Sequence, residues 1–291
     1  MNGKPMSNDA SKTQRIDLDN FNTVLGKYRA TDSVSLPRSR NDYERPFNVF
    51  GETDPGLART DNEDNFGFFV NNENHTVIGA IADGIGGHDH GDIASKLAIE
   101  YLLQQWREFQ AKNIMLDPQL VDMFLRSAIE RINTLVYNRN REEHNPYPMG
   151  TTLTVAVILK KFIITANAGD SRVYRLRKKS LKMLTEDHTL VAELVRRGRI
   201  AEKDALTHPY AHIISKSIGP AQYVNPDIII YDRFPDDKFL ICSDGLNLHL
   251  SDKEIEAIMI KQQDPKAVVK TLIMSTLRKG GKDNIAAVCI D

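Results

Sequence analysis

The sequence predicts an α+β fold in which antiparallel sheets are covered by helices. Two observations predict this class: short apolar runs typical of strands come in groups, and long amphipathic runs typical of helices come in pairs. The chain has 291 residues, of which 41% are hydrophobic and 26% charged, so it is long enough to bury a sizeable core. It shows neither an internal repeat nor a second domain boundary, and we expect one folded domain over residues 46–291.

Residues 1–45 differ from the rest of the chain because they are polar, carry both charge signs and contain few aliphatic side chains. We expect them to form a mobile arm. One stretch of the arm has helical spacing, and it is either a transient helix or a helix that docks on the domain or on a partner. The apolar residues of this stretch are Leu18, Phe21, Val24, Leu25 and Tyr28.

The folded part begins with strands and continues with two helices. Three apolar runs separated by Asn-rich turns predict antiparallel strands, namely NVFGETD, NFGFFVN and HTVIGAIADG. Residues 92–110 place their apolar side chains along one helical face. A second helix is predicted to begin at Asp117, a capping residue that is followed by Pro118, and the two helices are expected to pair.

The second half of the chain again places strands before helices. TTLTVAVIL, KFIITANAG and SRVYRLR predict an antiparallel meander, and a polar helical insert follows from about Asp187 to Pro209. Two further strands are predicted at DIIIYD and KFLICSD. A capping box from Ser251 to Glu254 and the pair Asp264-Pro265 then begin two helices, and the last strand is NIAAVCI.

The charge balance argues against several classes of function. With a formal net charge of −1, the chain lacks the one-sided basic field by which proteins bind nucleic acid or anionic membranes. The N-terminus has no basic start followed by an apolar stretch, and no apolar run reaches roughly 18 residues, so we expect neither export nor a membrane span. Cys242 and Cys289 lie in strand-like runs and are expected to be buried thiols rather than a disulfide. We therefore expect a cytoplasmic monomer.

Acidic residues stand at the ends of several predicted strands. They are Glu63, Asp64, Asp83, Asp170, Asp244 and Asp283. A single carboxylate in such a place is ordinarily a turn or cap residue, but several carboxylates that converge at one end of a sheet repel one another unless cations neutralise them. Oxygen ligands of this kind suit Mg²⁺ or Mn²⁺. Gly84, directly after Asp83, would also let a backbone carbonyl approach a metal ion.

Motifs of other chemistries are missing from the sequence. It contains no HExxH, CxxC or GxSxG motif and no Walker glycine loop. GIGGHDHG is not a dinucleotide fingerprint, because Asp89 takes the place of the third glycine. His88 and His90 in this loop are either metal ligands or solvated side chains.

Six short motifs, in order, resemble those of the metal-dependent serine/threonine protein phosphatases of the 2C type, in their bacterial form. They are RTDNED (59–64), ADGIGGH (82–88), GTTL (150–153), NAGDSR (167–172), SDGL (243–246) and GKDN (281–284). The stretch LTEDHTL (184–190) also resembles the start of that family's flap. The resemblance covers residues 47–291 and implies that 46–291 is the catalytic domain. It also implies a four-layer α-β-β-α sandwich, with two antiparallel sheets between two helix pairs.

The resemblance implies hydrolysis of phosphoserine and phosphothreonine esters in the protein substrates of a serine/threonine kinase. By this resemblance Asp83 bridges two ions, which are Mn²⁺ or Mg²⁺. Asp244 and Asp283 hold one of them, while Glu63 and the Gly84 carbonyl serve the other, directly or through water. Two ions on the order of 4 Å apart bind and deprotonate a water, which then attacks phosphorus.

Two further roles follow from the same resemblance. Asp64 would orient the metal-bound water. Arg59, which shortly precedes the acids, would hold the phosphoryl oxygens with its guanidinium fork. Asp64, Asp83 and Arg59 are thus the expected catalytic residues.

The sequence departs from the family pattern at two positions. Ile85 stands where some members place a histidine that protonates the leaving alkoxide, so a metal-bound water or His88 must donate that proton. Leu248 stands where the family commonly has an aspartate that, together with the residue matching Asp170, holds a third and weaker ion. The sequence therefore predicts two tight ions and leaves the third open.

Two other functions stay open at this point. One is a catalytically silent member of the family that binds phosphoproteins or regulates a partner, and the other is a metal-dependent hydrolase of small phosphate esters. The presence of Asp83, Asp244 and Asp283 argues against the silent member, since such proteins usually lose at least one metal ligand.

Overall fold

The computed structural model describes residues 27–29, 41–86, 90–112, 115–144, 147–205 and 208–291. Among these the strands are β1 (Lys27–Arg29), β2 (Val49–Asp54), β3 (Asp64–Asn71), β4 (Thr76–Ile85), β5 (Gly150–Thr151), β6 (Leu153–Ile158), β7 (Phe162–Ala168), β8 (Arg172–Arg177), β9 (Ser180–Met183), β10 (Asp227–Asp232), β11 (Lys238–Cys242) and β12 (Ile285–Ile290). The helices are α1 (Gly91–Gln110), α2 (Pro118–Glu142), α3 (Leu190–Arg196), α4 (Glu202–Ala205), α5 (Asp244–Asn247), α6 (Asp252–Lys261) and α7 (Pro265–Arg278), and Asn41–Glu44 forms a 3₁₀ helix.

The described strands form two sheets. The seven-stranded sheet has the order β1-β10-β7-β6-β4-β3, with the short β5 beside β4, and the five-stranded sheet has the order β2-β12-β11-β8-β9. All neighbouring strands in these sheets are antiparallel except β1 and β10, which are parallel. The parallel edge strand is the one departure from the expected antiparallel pairing in the described part of the chain.

Helices and sheets stack in four layers around three core clusters. α1 and α2 cover the outer face of the seven-stranded sheet, where Trp106 and Ile78 are buried in the first cluster. The two sheets face each other across a second cluster that includes Val77 and Ile241. α6 and α7 cover the five-stranded sheet over a third cluster that includes Leu240. Neighbouring residues such as Val77 and Ile78 point to opposite faces of their strand, as the period of a strand requires. The predicted α+β class and the α-β-β-α sandwich are confirmed.

Three helices begin where the sequence predicts. Asp117 and Asp264 each accept a hydrogen bond from the backbone N–H three residues later, at 2.8 and 3.0 Å, and a proline follows each of them. Glu254 Oε2 accepts hydrogen bonds from the N–H and the hydroxyl of Ser251, at 3.0 and 2.8 Å. These bonds satisfy polar groups that a helix end would otherwise leave unpaired. The short elements β9 and α5 are not among the predicted ones.

The described parts of the first 45 residues contact the domain. β1 pairs with β10, which places Tyr28 in a strand rather than in the predicted helix. The other apolar residues of that stretch, Leu18, Phe21, Val24 and Leu25, lie outside the described residues. Tyr43 is buried, and its hydroxyl donates to the carbonyl of Arg233 at 3.5 Å. The boundary at residue 45 and the mobility of the remaining arm stay predictions.

Two observations bear on the expectations from composition. None of the described helices is long and apolar enough to cross a membrane. Cys242 and Cys289 are buried free thiols, as the sequence predicts.

Candidate functional site

Five of the predicted acids meet at one edge of the two sheets. β3 and β4 run antiparallel and place Asp64 opposite Asp83. Asp244 begins α5 just after β11, Asp283 stands just before β12, and Asp170 follows β7. Burial raises the pKa of Asp83, and the charges of the other four raise it further, so these side chains lie in one group. We call Asp64, Asp83, Asp170, Asp244 and Asp283 the aspartate cluster.

Neutral side chains fix the backbone around Asp83. Its N–H donates to Thr152 Oγ1 at 2.9 Å. Its carbonyl accepts hydrogen bonds from Thr151 Oγ1 at 2.9 Å and from Thr152 N–H at 2.8 Å. Thr152 Oγ1 also lies 3.1 Å from the hydroxyl of Ser171, which is next to Asp170. The GTTL motif therefore joins the strand end that carries Asp83 to the one that carries Asp170.

Ser243 and Gly245 hold the five-stranded sheet against the cluster. Ser243 Oγ donates to Asp64 Oδ2 at 2.6 Å and accepts from the N–H of Ala286 at 2.9 Å. Gly245 lies so close to the start of β12 that an added Cβ would stand 1.9 Å from the carbonyl oxygen of Asn284. A side chain does not fit there, so the SDGL motif packs the end of β11 directly against the start of β12.

Glu63 is held beside the cluster through its backbone. Its N–H donates to Asn284 Oδ1 at 2.9 Å, and its carbonyl accepts from Ser95 Oγ at 2.6 Å and from Gly84 N–H at 3.2 Å. Burial raises the pKa of the Glu63 carboxyl, while a hydrogen bond from the N–H of Gly91 at the start of α1 opposes that rise. Glu63 and Gly84, the predicted donors to one metal ion, are thus neighbours.

Burial raises the pKa values within the cluster. It raises the pKa of Asp64 to about 8 and that of Asp170 to about 7, in each case with a further rise from neighbouring acids. The pKa of Asp244 is also raised, mainly by burial, while a hydrogen bond with Asp83 and the charge of His212 act in the opposite direction. These acids cannot all be ionised at neutral pH without cations or shared protons.

The chemistry of the cluster fits divalent cations. Asp64 Oδ1 and Asp170 Oδ1 are buried and have no hydrogen-bond partner among the described residues. In the described part of the chain, no three acidic, histidine or cysteine side chains already surround a single ion position. Asp83 and Asp244 instead share a hydrogen bond, and Arg59 engages Asp283. Unpaired buried carboxylate oxygens are groups that Mg²⁺ or Mn²⁺ would neutralise.

Arg59 lies against Asp283 at the rim of the cluster. Its Nη2 donates to Asp283 Oδ2 at 3.0 Å, and its Nε lies 3.0 Å from Oδ1. The pair is partly open to solvent, with 54% of the Arg59 side chain and 29% of the Asp283 side chain accessible. The hydrogen bond and the charge of Asp283 raise the pKa of Arg59. The planar fork that pairs with this carboxylate also suits two phosphoryl oxygens.

The two departures from the family pattern lie beside the cluster. Ile85 is the last residue of β4. Leu248 follows α5, is 43% exposed, and donates its N–H to the carbonyl of Asp244 at 2.8 Å. His90 stands at the start of α1, whereas His88 lies outside the described residues. Leu248 thus presents a partly exposed apolar side chain beside Asp244.

Hydrogen bonds attach the start of the insert next to the cluster. Arg172 of β8 forms a bidentate pair with Asp187, with Nη2 to Oδ2 at 2.7 Å and Nε to Oδ1 at 3.0 Å. His188 is buried, and its backbone N–H donates to the carbonyl of Gly169 at 2.9 Å. The predicted helical stretches of the insert are α3 and α4. His188, at the start of the insert, is therefore part of the buried interior, and Asp187 is partly buried beside Arg172.

Reasoning from sequence patterns missed the neutral residues that position the acids. These are Ser95, Thr151, Thr152, Ser243 and Asn284. Asn284 also donates from Nδ2 to the carbonyls of Pro55 and Asp61, at 2.9 and 2.8 Å, and so holds the loop that leads to Glu63. Except for Ser95, they stand within the quoted motifs, which is the signal that could have found them. Hydroxyl and amide side chains at strand ends and turns are common for reasons of backbone geometry alone, so their type does not reveal such a role.

The chain is similar to known phosphatases in sequence and in structure. It matches the family model described as Protein phosphatase 2C over residues 58–284. The serine/threonine phosphatase stp of Listeria welshimeri is 36% identical over 239 residues, which cover 82% of this chain and 93% of that protein. The S. agalactiae serine/threonine phosphatase structure has a TM-score of 0.77 and 31% identity, covering 84% of this chain and 98% of that chain.

A further solved structure is the catalytic domain of the serine threonine protein phosphatase PstP in complex with two manganese ions. Its TM-score is 0.73 at 29% identity, and the match covers 84% of this chain and 98% of that chain. The matched range of the family model contains the whole aspartate cluster. The resemblance inferred from the six motifs is confirmed, and the chain belongs to the protein phosphatase 2C family of phosphoprotein phosphatases.

Proposed function

We propose that this phosphatase hydrolyses phosphoserine and phosphothreonine esters in proteins phosphorylated by a serine/threonine kinase, and that it requires Mn²⁺ or Mg²⁺. The observation that carries the proposal is the aspartate cluster, in which Asp64, Asp83, Asp170 and Asp244 have raised pKa values. Two of its carboxylate oxygens are buried and have no partner among the described residues. Oxygen sites with several carboxylates bind hard divalent cations. The PstP structure with two manganese ions supports the same cofactor here.

The proposed ligands divide between two ions. Asp83, on whose pKa the charges of all four other aspartates act, would be a ligand of both ions. Asp244 and Asp283 would hold one ion, and Glu63 and the Gly84 carbonyl would hold the other. When bound, the ions supply Lewis-acid activation of water and neutralise charge on the phosphoryl group. A third and weaker ion would rest on Asp170.

Asp64 and Arg59 are proposed to orient the reactants. Ser243 holds one oxygen of Asp64, which leaves Oδ1 to accept a hydrogen bond from the attacking water. Arg59 would turn its fork from Asp283 to two phosphoryl oxygens and so align phosphorus with the water. Correct alignment of this kind is a large part of the rate enhancement in such reactions.

The proton for the leaving alkoxide must come from another group, because the side chain of Ile85 has no acidic hydrogen. His88 is one candidate, although it lies outside the described residues. His212, shortly after the insert, is a second candidate, since its charge lowers the pKa of Asp244. The pH profile of kcat in variants of each histidine separates the two.

The alternative, a catalytically silent regulatory or binding module, has no support in these observations. All acids that the motifs predict are present, and the five aspartates lie in one group. The cytoplasmic location and the monomeric state stay predictions from the sequence.

The proposal is tested by measuring turnover of the metal-free chain as Mn²⁺ is added. An aryl phosphate and a phosphothreonine peptide are compared, with a small alkyl phosphate as a third substrate. We expect Mn²⁺-dependent turnover of the first two and a higher kcat/KM for the peptide. If the chain turns over neither the aryl phosphate nor the peptide, the result supports the silent module. A preference for the small alkyl phosphate supports a hydrolase of small esters.

A further inference from the structure

His188 is buried at the start of the insert, with 3% of its surface exposed. Its backbone N–H donates to the carbonyl of Gly169 at 2.9 Å. The N–H of Gly169 in turn donates to His188 Nδ1 at 3.1 Å. Gly169 directly precedes Asp170 of the aspartate cluster. One residue of the insert therefore binds both polar backbone groups of the residue before a proposed metal ligand.

The backbone at Gly169 depends on such outside contacts. Its φ is +136°, and an added Cβ would stand 2.5 Å from the side chain of Thr152. Only glycine adopts this conformation readily, and it brings no side chain of its own to fix the backbone. Asn167 Nδ2 contributes one further contact, a hydrogen bond of 3.1 Å to the Gly169 carbonyl.

The other side of the His188 ring faces an ion pair. Nε2 lies 3.2 Å from Asp227 Oδ2, although its N–H bond is not aimed squarely at that oxygen. Asp227, the first residue of β10, also accepts a hydrogen bond from Lys216 Nζ at 2.7 Å. The nearby His188 ring and the hydrogen bond from Lys216 hold the pKa of Asp227 below its usual value, so it stays a carboxylate. Ser215 N–H donates to the His188 carbonyl at 2.8 Å, which ties the segment after the insert to the same residue.

The hydrogen bonds define the tautomer of the ring. Because a backbone N–H donates to Nδ1, that nitrogen carries no hydrogen, and the ring is neutral with its hydrogen on Nε2. The Nε2 hydrogen lies on the side of Asp227. His188 thus serves as an acceptor towards Gly169 and as a donor towards Asp227.

We propose that His188 is a positioning residue that couples the insert to Asp170. Each ring nitrogen has its own role. Nδ1 fixes the backbone of Gly169, which precedes Asp170, and Nε2 holds the start of the insert against Asp227. The inference rests on the proposed function only where turnover is the readout.

Two conservative variants separate the two contacts. His188→Asn places an amide oxygen near the position of Nδ1, and His188→Gln places an amide nitrogen near that of Nε2. We expect His188→Asn to keep the protection of the Gly169 amide against hydrogen exchange and a kcat within about twofold of wild type, with a higher KM for the phosphopeptide alone. His188→Gln is expected to lose that protection and to lower kcat about tenfold or more on both peptide and aryl phosphate. His144→Asn, at the exposed end of α2, is the matched control and leaves every readout unchanged.

The nitrogen NMR shifts of the His188 ring supply a readout that needs neither metal nor turnover. We expect an unprotonated Nδ1 and a protonated Nε2. A proton on Nδ1, or equal changes of kcat and of Gly169 exchange in the Asn and Gln variants, overturns the inference. A wild-type protein without Mn²⁺-dependent turnover refutes the proposed function instead, because the NMR and exchange results then still decide the role of His188.

Discussion

Ser243 Oγ donates a hydrogen bond of 2.6 Å to Asp64 Oδ2, although the two residues are 179 positions apart in the chain. Ser243 follows a strand of the five-stranded sheet and Asp64 begins a strand of the seven-stranded sheet, so the bond joins the two sheets at the aspartate cluster. The same hydroxyl accepts a hydrogen bond from Ala286 N–H, which fixes its direction. The carboxylate of Asp64 is thereby oriented with Oδ1 left for another partner.

Ser243→Ala is expected to lower kcat about tenfold, because Asp64 loses the group that orients its carboxylate. The measurement is turnover of an aryl phosphate at saturating Mn²⁺. Ser275→Ala is the matched control, since the Ser275 hydroxyl bonds to a backbone carbonyl within α7. Equal kcat in the two variants would show that Asp64 needs no such support.

Replacing single proposed metal ligands should abolish turnover without unfolding the protein. Asp83→Asn, Asp244→Asn and Asp283→Asn each remove a negative charge from the cluster, so we expect kcat to fall by on the order of a hundredfold or more and Mn²⁺ affinity to fall with it. Calorimetric titration and circular dichroism measure affinity and folding. Asp122→Asn on α2, which breaks an ion pair with Arg126, controls for the loss of a charge elsewhere. Wild-type turnover in any of the three cluster variants contradicts the ligand assignment.

The raised pKa values predict that the metal-free protein becomes less stable as the pH rises. Asp64 has a pKa of about 8 in the folded protein against an ordinary value of 3.8, and Asp170 has one of about 7. At pH values between the ordinary pKa of 3.8 and these raised values, the folded state binds more protons than the unfolded state. The free energy of unfolding therefore falls as the pH increases from about 4 to about 8. Cations at the cluster would replace the protons and remove this dependence.

Thermal unfolding in the presence of a chelator tests the pH dependence. We expect Tm to fall steadily between about pH 5 and pH 8, with a smaller fall in Asp64→Asn, because the amide carries no charge to bury. Added Mn²⁺ should raise Tm most at the high end of this range. A metal-free Tm that is independent of pH, in wild type and variant alike, would contradict the raised pKa values of Asp64 and Asp170.

Local signals explain why most of the fold could be predicted. Asp117 and Asp264 cap helices through bonds within a few residues, and the alternation around Val77 and Ile78 follows from the period of a strand. β1 escaped prediction because its three residues form a strand only through pairing with β10, about 200 positions away. Tertiary pairing of this kind leaves no periodic trace in so short a segment.

The sequence indicated the acids of the candidate site but not their geometry. Charged residues at strand ends are conspicuous in a sequence, and the structure brings five of them together. The hydrogen bond between Asn284 and Glu63 spans 221 positions, and the contact of Arg59 with Asp283 spans 224. Such contacts depend on how the two sheets face each other, which no local pattern encodes.

Arg59→Ala should weaken phosphate binding and spare metal binding. The guanidinium bonds to oxygen atoms, and in this structure it competes for Asp283, so its removal leaves Mn²⁺ affinity unchanged or raised. We expect inhibition by inorganic phosphate to weaken about tenfold, and Arg59→Lys to restore only part of it because the fork is lost. Arg45→Ala removes a solvent-exposed arginine that lies 3.9 Å from Asp236 and serves as control. A large loss of Mn²⁺ affinity in Arg59→Ala would contradict this role.

The proposed third metal site involves Leu248, one of the two positions at which the sequence departs from the family pattern. Asp170 offers one carboxylate with an unpaired oxygen among the described residues, and Leu248 offers none although it lies beside Asp244. A hard cation with fewer carboxylate ligands binds more weakly. We therefore expect two tight ions and a loose third.

If the third ion contributes to turnover, activity should keep rising with Mn²⁺ after the two tight sites are full. Asp170→Ala should abolish this later rise with little change at the tight sites. Leu248→Asp should move the rise to an Mn²⁺ concentration about tenfold lower, because the new carboxylate adds an anionic ligand. Position 248 is partly exposed and can therefore accommodate an acid. Met274→Asp, at an exposed apolar position of α7, adds the same charge away from the cluster and should leave the titration unchanged. A titration in which activity saturates together with the two tight sites in every variant would show that no third ion takes part in the reaction.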